Sequence, residues 1–142
     1  MENTERDAEA HIQALIERWA NAVQQQDLEK IVADHATDFL IFDVPPPNEL
    51  TGIEAYRDSW GPFFEHFKQG GVFAIERLDV TAGDRVAFAT ALLRCGTSEE
   101  LEKDPATRLR LTVGLRKEGD LWIIAHEHHS YPYKAGLSSE SG

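Results

Sequence analysis

Half of the chain's six histidines fall in one short run, Trp122-Ile123-Ile124-Ala125-His126-Glu127-His128-His129-Ser130. Imidazole is the side chain whose charge changes near neutral pH, so a histidine cluster is where acid–base chemistry is sought first. The run is apolar at its start and free of Gly and Pro, which predicts a strand. Strict alternation puts Trp122, Ile124, His126, His128 and Ser130 on one face. Ile123, Ala125, Glu127 and His129 then share the other. The first face predicts a pocket floor, with His126 and His128 as catalytic candidates ~7 Å apart and Ser130 as a ligand-binding hydroxyl. Glu127 and His129 are expected on the convex face, in a contact with a second copy of the chain.

Those histidines need a partner. Asp43 closes the apolar stretch Phe39-Leu40-Ile41-Phe42, ahead of Pro45-Pro46-Pro47. A carboxylate in an apolar pocket loses solvation, and its pKa rises toward the range useful for a base. The plainer role for Asp43 is to cap the turn before Pro45. His126-x-His128 with a carboxylate also fits a zinc or non-haem iron site. Tyr131, Pro132 and Tyr133 follow, however, where a further ligand would be needed, so neither a metal nor another cofactor is expected. Ser130 and Cys95 lack the strand-to-helix elbow of an activated nucleophile. No phosphate loop or dinucleotide glycine pattern occurs.

Arg110 shares a strand face with Arg108, Thr112, Gly114 and Arg116, whereas Leu109, Leu111, Val113 and Leu115 make the other face wholly apolar. The simplest consequence is an Arg face in solvent, but a one-residue slip in register would turn Arg110 inward. Trp19, Tyr56 and Trp60 recur at helical spacing and are expected to line the pocket wall, with the Tyr56 hydroxyl available to an oxyanion.

The elements that must position these residues follow from periodicity. Residues 4–24 carry Ala8, Ile12, Leu15, Ile16, Trp19, Ala22 and Val23 at helical steps, with Thr4-x-x-Asp7 as a capping signal. Asp27 opens a short second helix bearing Leu28, Ile31, Val32 and His35 on one side. Residues 38–44 form a strand. Thr51-x-x-Glu54 starts a third helix with Ile53, Tyr56, Trp60, Phe63, Phe64 and Phe67 buried, which Gly61-Pro62 should kink or divide. From Val72 the period becomes two, giving strands 72–80, 85–95, 107–117 and 121–130. Ala82-Gly83-Asp84 and Glu118-Gly119-Asp120 make tight turns, and 96–105 reads as a polar loop. Helices first and hairpin-linked strands later define an α+β fold with a mostly antiparallel sheet. Long strands must twist and curl, so helices across the open side close a cone-shaped pocket.

At 142 residues, 42% hydrophobic and 27% charged, the chain is expected to be one globular domain over residues 1–134. Residues 135–142 are a small, polar, flexible tail. A net charge of −11 excludes the basic surface that nucleic acid or an anionic membrane requires. No apolar run approaches the ~18 residues of a membrane span. The acidic N-terminus is unlike a targeting peptide. The lone Cys95 suits a reducing cytoplasm.

The element order over residues 8–132 resembles the nuclear transport factor 2-like superfold. A narrower likeness rests on Trp19, Ala22 and Asp27, on Phe42-Asp43, on Gly52 and Trp60, and on the ending Arg110-x-Thr112-x-Gly114-x-Arg116-Lys117-Glu118-Gly119 then Trp122-x-x-x-His126-x-His128-x-Ser130-x-Pro132. These look like the SnoaL-like, ketosteroid isomerase homologue group. The resemblance implies cofactor-free acid–base catalysis on a small, mostly apolar molecule: isomerisation, dehydration or hydrolysis. It implies an Arg near Arg110 pointing into the cone, and a homodimer. The closing strand also resembles the association domain of calcium/calmodulin-dependent kinase II. That likeness implies a non-catalytic module that binds a small ligand or dimerises.

Overall fold

The computed structural model describes residues 2–68 and 70–133, with side chains from Glu5 onward. The expected tail at 135–142 lies outside them. Helix α1 (Glu2–Gln25) buries Ile12, Leu15, Ile16, Trp19, Ala22 and Val23, the stripe that its periodicity marks. It begins before Thr4, which therefore lies inside the helix rather than capping it. A short α2 (Leu28–Val32) follows, capped by Asp27 accepting from the Lys30 backbone N–H. Asp34 at φ 62 then turns the chain. His35 consequently leaves the helical register and opens β1 (His35–Phe42).

A short strand not expected from the sequence, β2 (Glu49–Thr51), pairs antiparallel with β1. Helix α3 (Ile53–Phe67) contains Pro62 without being divided by it and buries Tyr56, Trp60 and Phe67. The Thr51 box does not form. Gly52 is the N-cap at φ 98, with no side-chain capping bond. The box signature instead works at Thr97, which with Glu100 caps α4 (Ser98–Lys103) inside the segment expected to be loop. Strands β3 (Val72–Ala82), β4 (Val86–Gly96), β5 (Leu109–Glu118) and β6 (Leu121–Ser130) complete the fold. Before β3 the backbone crosses the Phe67 ring so closely at Gly71 that a Cβ there would lie 2.7 Å from ring carbons.

The six strands run in the order β2-β1-β6-β5-β4-β3. Only β1 and β6 are parallel; every other pair is antiparallel. The result is the curved, mostly antiparallel α+β sheet expected. Irregularities interrupt the ladder in β1 between His35 and Leu40, in β3 between Ile75 and Arg77, and between β5 and β6. Extra residues of this kind bend a strand and add twist. The core lies between the inner sheet face and α1 and α3. Among the described residues, no helix is long and apolar enough to cross a membrane.

Candidate acid–base site

The pairing of β5 with β6 decides which histidines face the core. Lys117 pairs with Trp122 and Leu115 with Ile124, but the next pair is Gly114 with His126. Ala125 is the extra residue, and it inverts the alternation downstream. Val113 now stands opposite Glu127, and Leu111 opposite His129. Since Leu109, Leu111, Val113 and Leu115 are all buried, Glu127 and His129 face inward with them, 1% and 8% exposed. This corrects the expected arrangement. His126, His128 and Ser130 lie on the outer face, across from Gly114, Thr112 and Arg110. Arg110 is exposed there, as its apolar opposite face required, and does not reach the inside.

Glu127 is the centre of a buried polar network. Its Oε1 lies 2.8 Å from His129 Nε2, and its Oε2 lies 2.9 Å from His35 Nε2. The Tyr56 hydroxyl approaches Oε2 at 3.4 Å and itself accepts from the Trp19 indole N–H at 3.0 Å. His129 Nδ1 stands 3.8 Å from Asp43 Oδ1, and the Asp43 side chain is 29% exposed. The same Asp43 oxygen accepts from the Val44 backbone N–H at 2.8 Å. Asp43 is therefore both the turn cap and the histidine partner, and it meets His129 rather than His126 or His128.

Burial opposes the charge on Glu127, yet hydrogen bonds from His129 and His35, with their positive charge, outweigh it and bring its pKa down to about 2. Burial likewise works against the His129 cation. The Glu127 hydrogen bond and the charges of Glu127 and Asp43 overcome it and hold the His129 pKa above its ordinary 6.5. Burial and the Glu127 charge keep Tyr56 well above 10, so its hydroxyl remains a donor. The Cys95 thiol is pushed up to about 11, mainly by burial, which leaves it a packing residue rather than a nucleophile.

Trp19, Tyr56 and Trp60 are all buried. Trp19 meets His129 edge-on at 6.3 Å and Phe73 at 5.4 Å, and Tyr56 meets Trp60 at 5.7 Å. Trp60 is 7% exposed and its indole N–H has no hydrogen-bond partner among the described residues. Outside, His126 Nδ1 donates to the Leu40 carbonyl at 2.8 Å, and both outer imidazoles pack edge-on against Phe42. Among the described residues, no three His, Cys, Asp or Glu side chains converge as a metal site. A cavity of about 270 Å³ opens at the other end of β6, between the start of α1 and the hairpin turns, lined by Glu5, Asp7, His11, Asp84, Asp120 and Trp122 among others. It shares no residue with the Glu127 network.

A curved sheet wrapped by helices, with ionisable groups on its inner face, defines the cone architecture of the nuclear transport factor 2-like proteins. Residues 12–134 match the SnoaL-like domain model, and the chain belongs to that family. No functionally curated protein matches it. A nuclear transport factor 2-like protein of unknown function from Pseudomonas putida is 34% identical, with a TM-score of 0.83 over 93% of this chain and 92% of that one. More distant structures share the fold alone. A candidate ketosteroid isomerase from Shewanella frigidimarina is 17% identical (TM-score 0.67, 82% of this chain and 92% of that one). A candidate scytalone dehydratase from Novosphingobium aromaticivorans is 14% identical (TM-score 0.73, 94% and 89%).

Proposed function

We propose that this SnoaL-like chain is a cofactor-free acid–base catalyst acting on a small, mostly apolar molecule with a carbonyl or hydroxyl group. The observation that carries the reading is the Glu127–His129 pair at 2.8 Å with the second imidazole nitrogen turned toward Asp43. An ionised carboxylate on Nε2 fixes that nitrogen as the protonated one. Nδ1 is then the working atom. Neutral, it removes a proton from the substrate; protonated, it returns one to a different atom. Asp43, partly exposed, holds the charged ring or a water between itself and Nδ1. The network's neighbours, Trp19 and Tyr56, make the surroundings apolar enough for charge to matter. Isomerisation, dehydration and hydrolysis all use this proton exchange.

The test is a panel of small β,γ-unsaturated ketones, hydroxyketones and epoxides, followed by absorbance and mass spectrometry. For any substrate turned over, His129→Ala and Asp43→Asn are expected to lower kcat by roughly 10²–10⁴-fold. His126→Ala and His128→Ala should stay within about two-fold. Full activity in His129→Ala overturns the reading, and loss confined to the outer pair returns the chemistry to His126 and His128.

The reading keeps a homodimer in the cytoplasm, built on the outer sheet face. Glu127 and His129 point away from that face, so its contacts would come from Val86 and Phe88, 66% and 52% exposed, beside His126 and His128. Light scattering on Phe88→Glu should then report a monomer where the wild type is dimeric.

A further inference from the structure

The catalytic reading uses one oxygen of Glu127 and leaves the other unexplained. His35 Nε2 lies 2.9 Å from Oε2 of Glu127, and its Nδ1 lies 2.9 Å from the Ala33 carbonyl. The His35 side chain is 0% exposed. Its ring stacks on Tyr56 at 5.0 Å and meets the Phe39 edge at 4.9 Å, so it has no room to turn away. A carbonyl oxygen only accepts, which puts a proton on Nδ1. An ionised carboxylate also only accepts, which puts one on Nε2. The ring satisfies both neighbours together only as an imidazolium.

We propose that His35 is a positioning residue for His129: as a buried cation on the shared carboxylate, it offsets the negative charge with which Glu127 favours the protonated ring and so keeps Nδ1 of His129 available as a base. Two imidazoles bracket one carboxylate, each on its own oxygen. A second positive charge on the far oxygen repels protonation of His129. Like charges on the two oxygens of one carboxylate are close enough for that repulsion to survive at the effective dielectric of a protein site. The other groups facing the pair act differently. From α3 the Tyr56 hydroxyl donates to Oε2, and from α1 the neutral Trp19 donates its indole N–H to Tyr56 and meets the His129 ring edge-on without adding charge. Past the end of β1, Asp43 favours the His129 proton. Strand β5 contributes only Val113 and Leu111 opposite Glu127 and His129. Burial already works against the His129 charge, and His35 on the shared carboxylate is the basic side chain placed to act in the same direction.

The inference rests on His129 being the proton-exchanging group, but its test needs no substrate. Nitrogen-15 NMR of the histidine rings in the wild-type protein at pH 7 is expected to show both His35 nitrogens protonated. In His35→Gln, which keeps an N–H donor and removes the charge, the His129 titration midpoint should rise by roughly one to two pH units. One unprotonated His35 nitrogen in the wild type overturns the proposal, as does a midpoint within about 0.3 pH units of wild type in a folded His35→Gln. Should that variant not fold, the wild-type nitrogen shifts decide alone. A failure here leaves the catalytic reading intact, since that stands on the activity of His129→Ala.

Discussion

The last residues of β6 place two polar pairs back to back. Glu127 and His129 point into the core, and His126 and His128 point out. The residue types are nearly the same and the chain distance is one step, yet the surroundings differ in kind. The inner pair is bonded to each other, to His35 and to Tyr56, with Trp19 edge-on to His129. The outer pair has one carbonyl and one phenyl ring for company, and His128 is exposed. A histidine's intrinsic proton affinity is therefore not what makes a site. What distinguishes the inner pair is a carboxylate held on a ring nitrogen in a place where water does not screen it.

The largest effect that would test this contrast is on stability. Glu127→Leu leaves His35 and His129 buried without their shared acceptor, and a loss of about 3–5 kcal/mol is expected by urea denaturation at pH 7. His128→Ala should change stability by no more than about 0.5 kcal/mol. Equal effects would dissolve the distinction between the faces. The pH dependence sharpens it. The folded Glu127 titrates at about 2 against an ordinary 4.5. Its contribution is complete above pH 4.5 and is lost as pH falls through about 2, a decline on the order of 3 kcal/mol that Glu127→Gln should remove. His129 has the opposite sign: its raised pKa gives stability that is complete below pH 6.5 and is lost as pH rises through the higher folded value. The smallest effect belongs to the hinge between the faces. A Cβ at Gly114 would meet the His126 Cβ at 3.5 Å, an ordinary contact. Gly114→Ala should therefore shift the melting temperature by only a degree or two, about 0.5 kcal/mol or less.

Much of the fold was legible because burial imposes period. The stripe on α1, the aromatic side of α3 and the bounds of β6 follow from the spacing of apolar residues alone. The site was less so. Alternation extended from Trp122 to Ser130 without a break sends His126 inward, and the extra residue at Ala125 is an ordinary strand residue that announces nothing. Two signals were present on the neighbouring strand. The apolar face of β5 had to point in, which already sent Arg110 out, and Gly114 is the kind of interior strand glycine that marks a bulge. His35 was hidden differently. It continues the spacing of Leu28, Ile31 and Val32, and only the positive φ at Asp34, a tertiary outcome, removes it from the helix. The cap at Thr97 had the same four-residue signature as the one at Thr51. Local sequence could not say which of the two would be used.

The bulge at Ala125 also governs how this strand can be matched to others. A relative lacking the extra residue aligns correctly only if the gap opens inside β6, where gaps are penalised most. If the gap slides back to the Gly119-Asp120 turn, the intervening strand residues are matched one place out of step. Inner positions are then compared with outer ones, and motifs written across that boundary join residues that never share a side of the sheet.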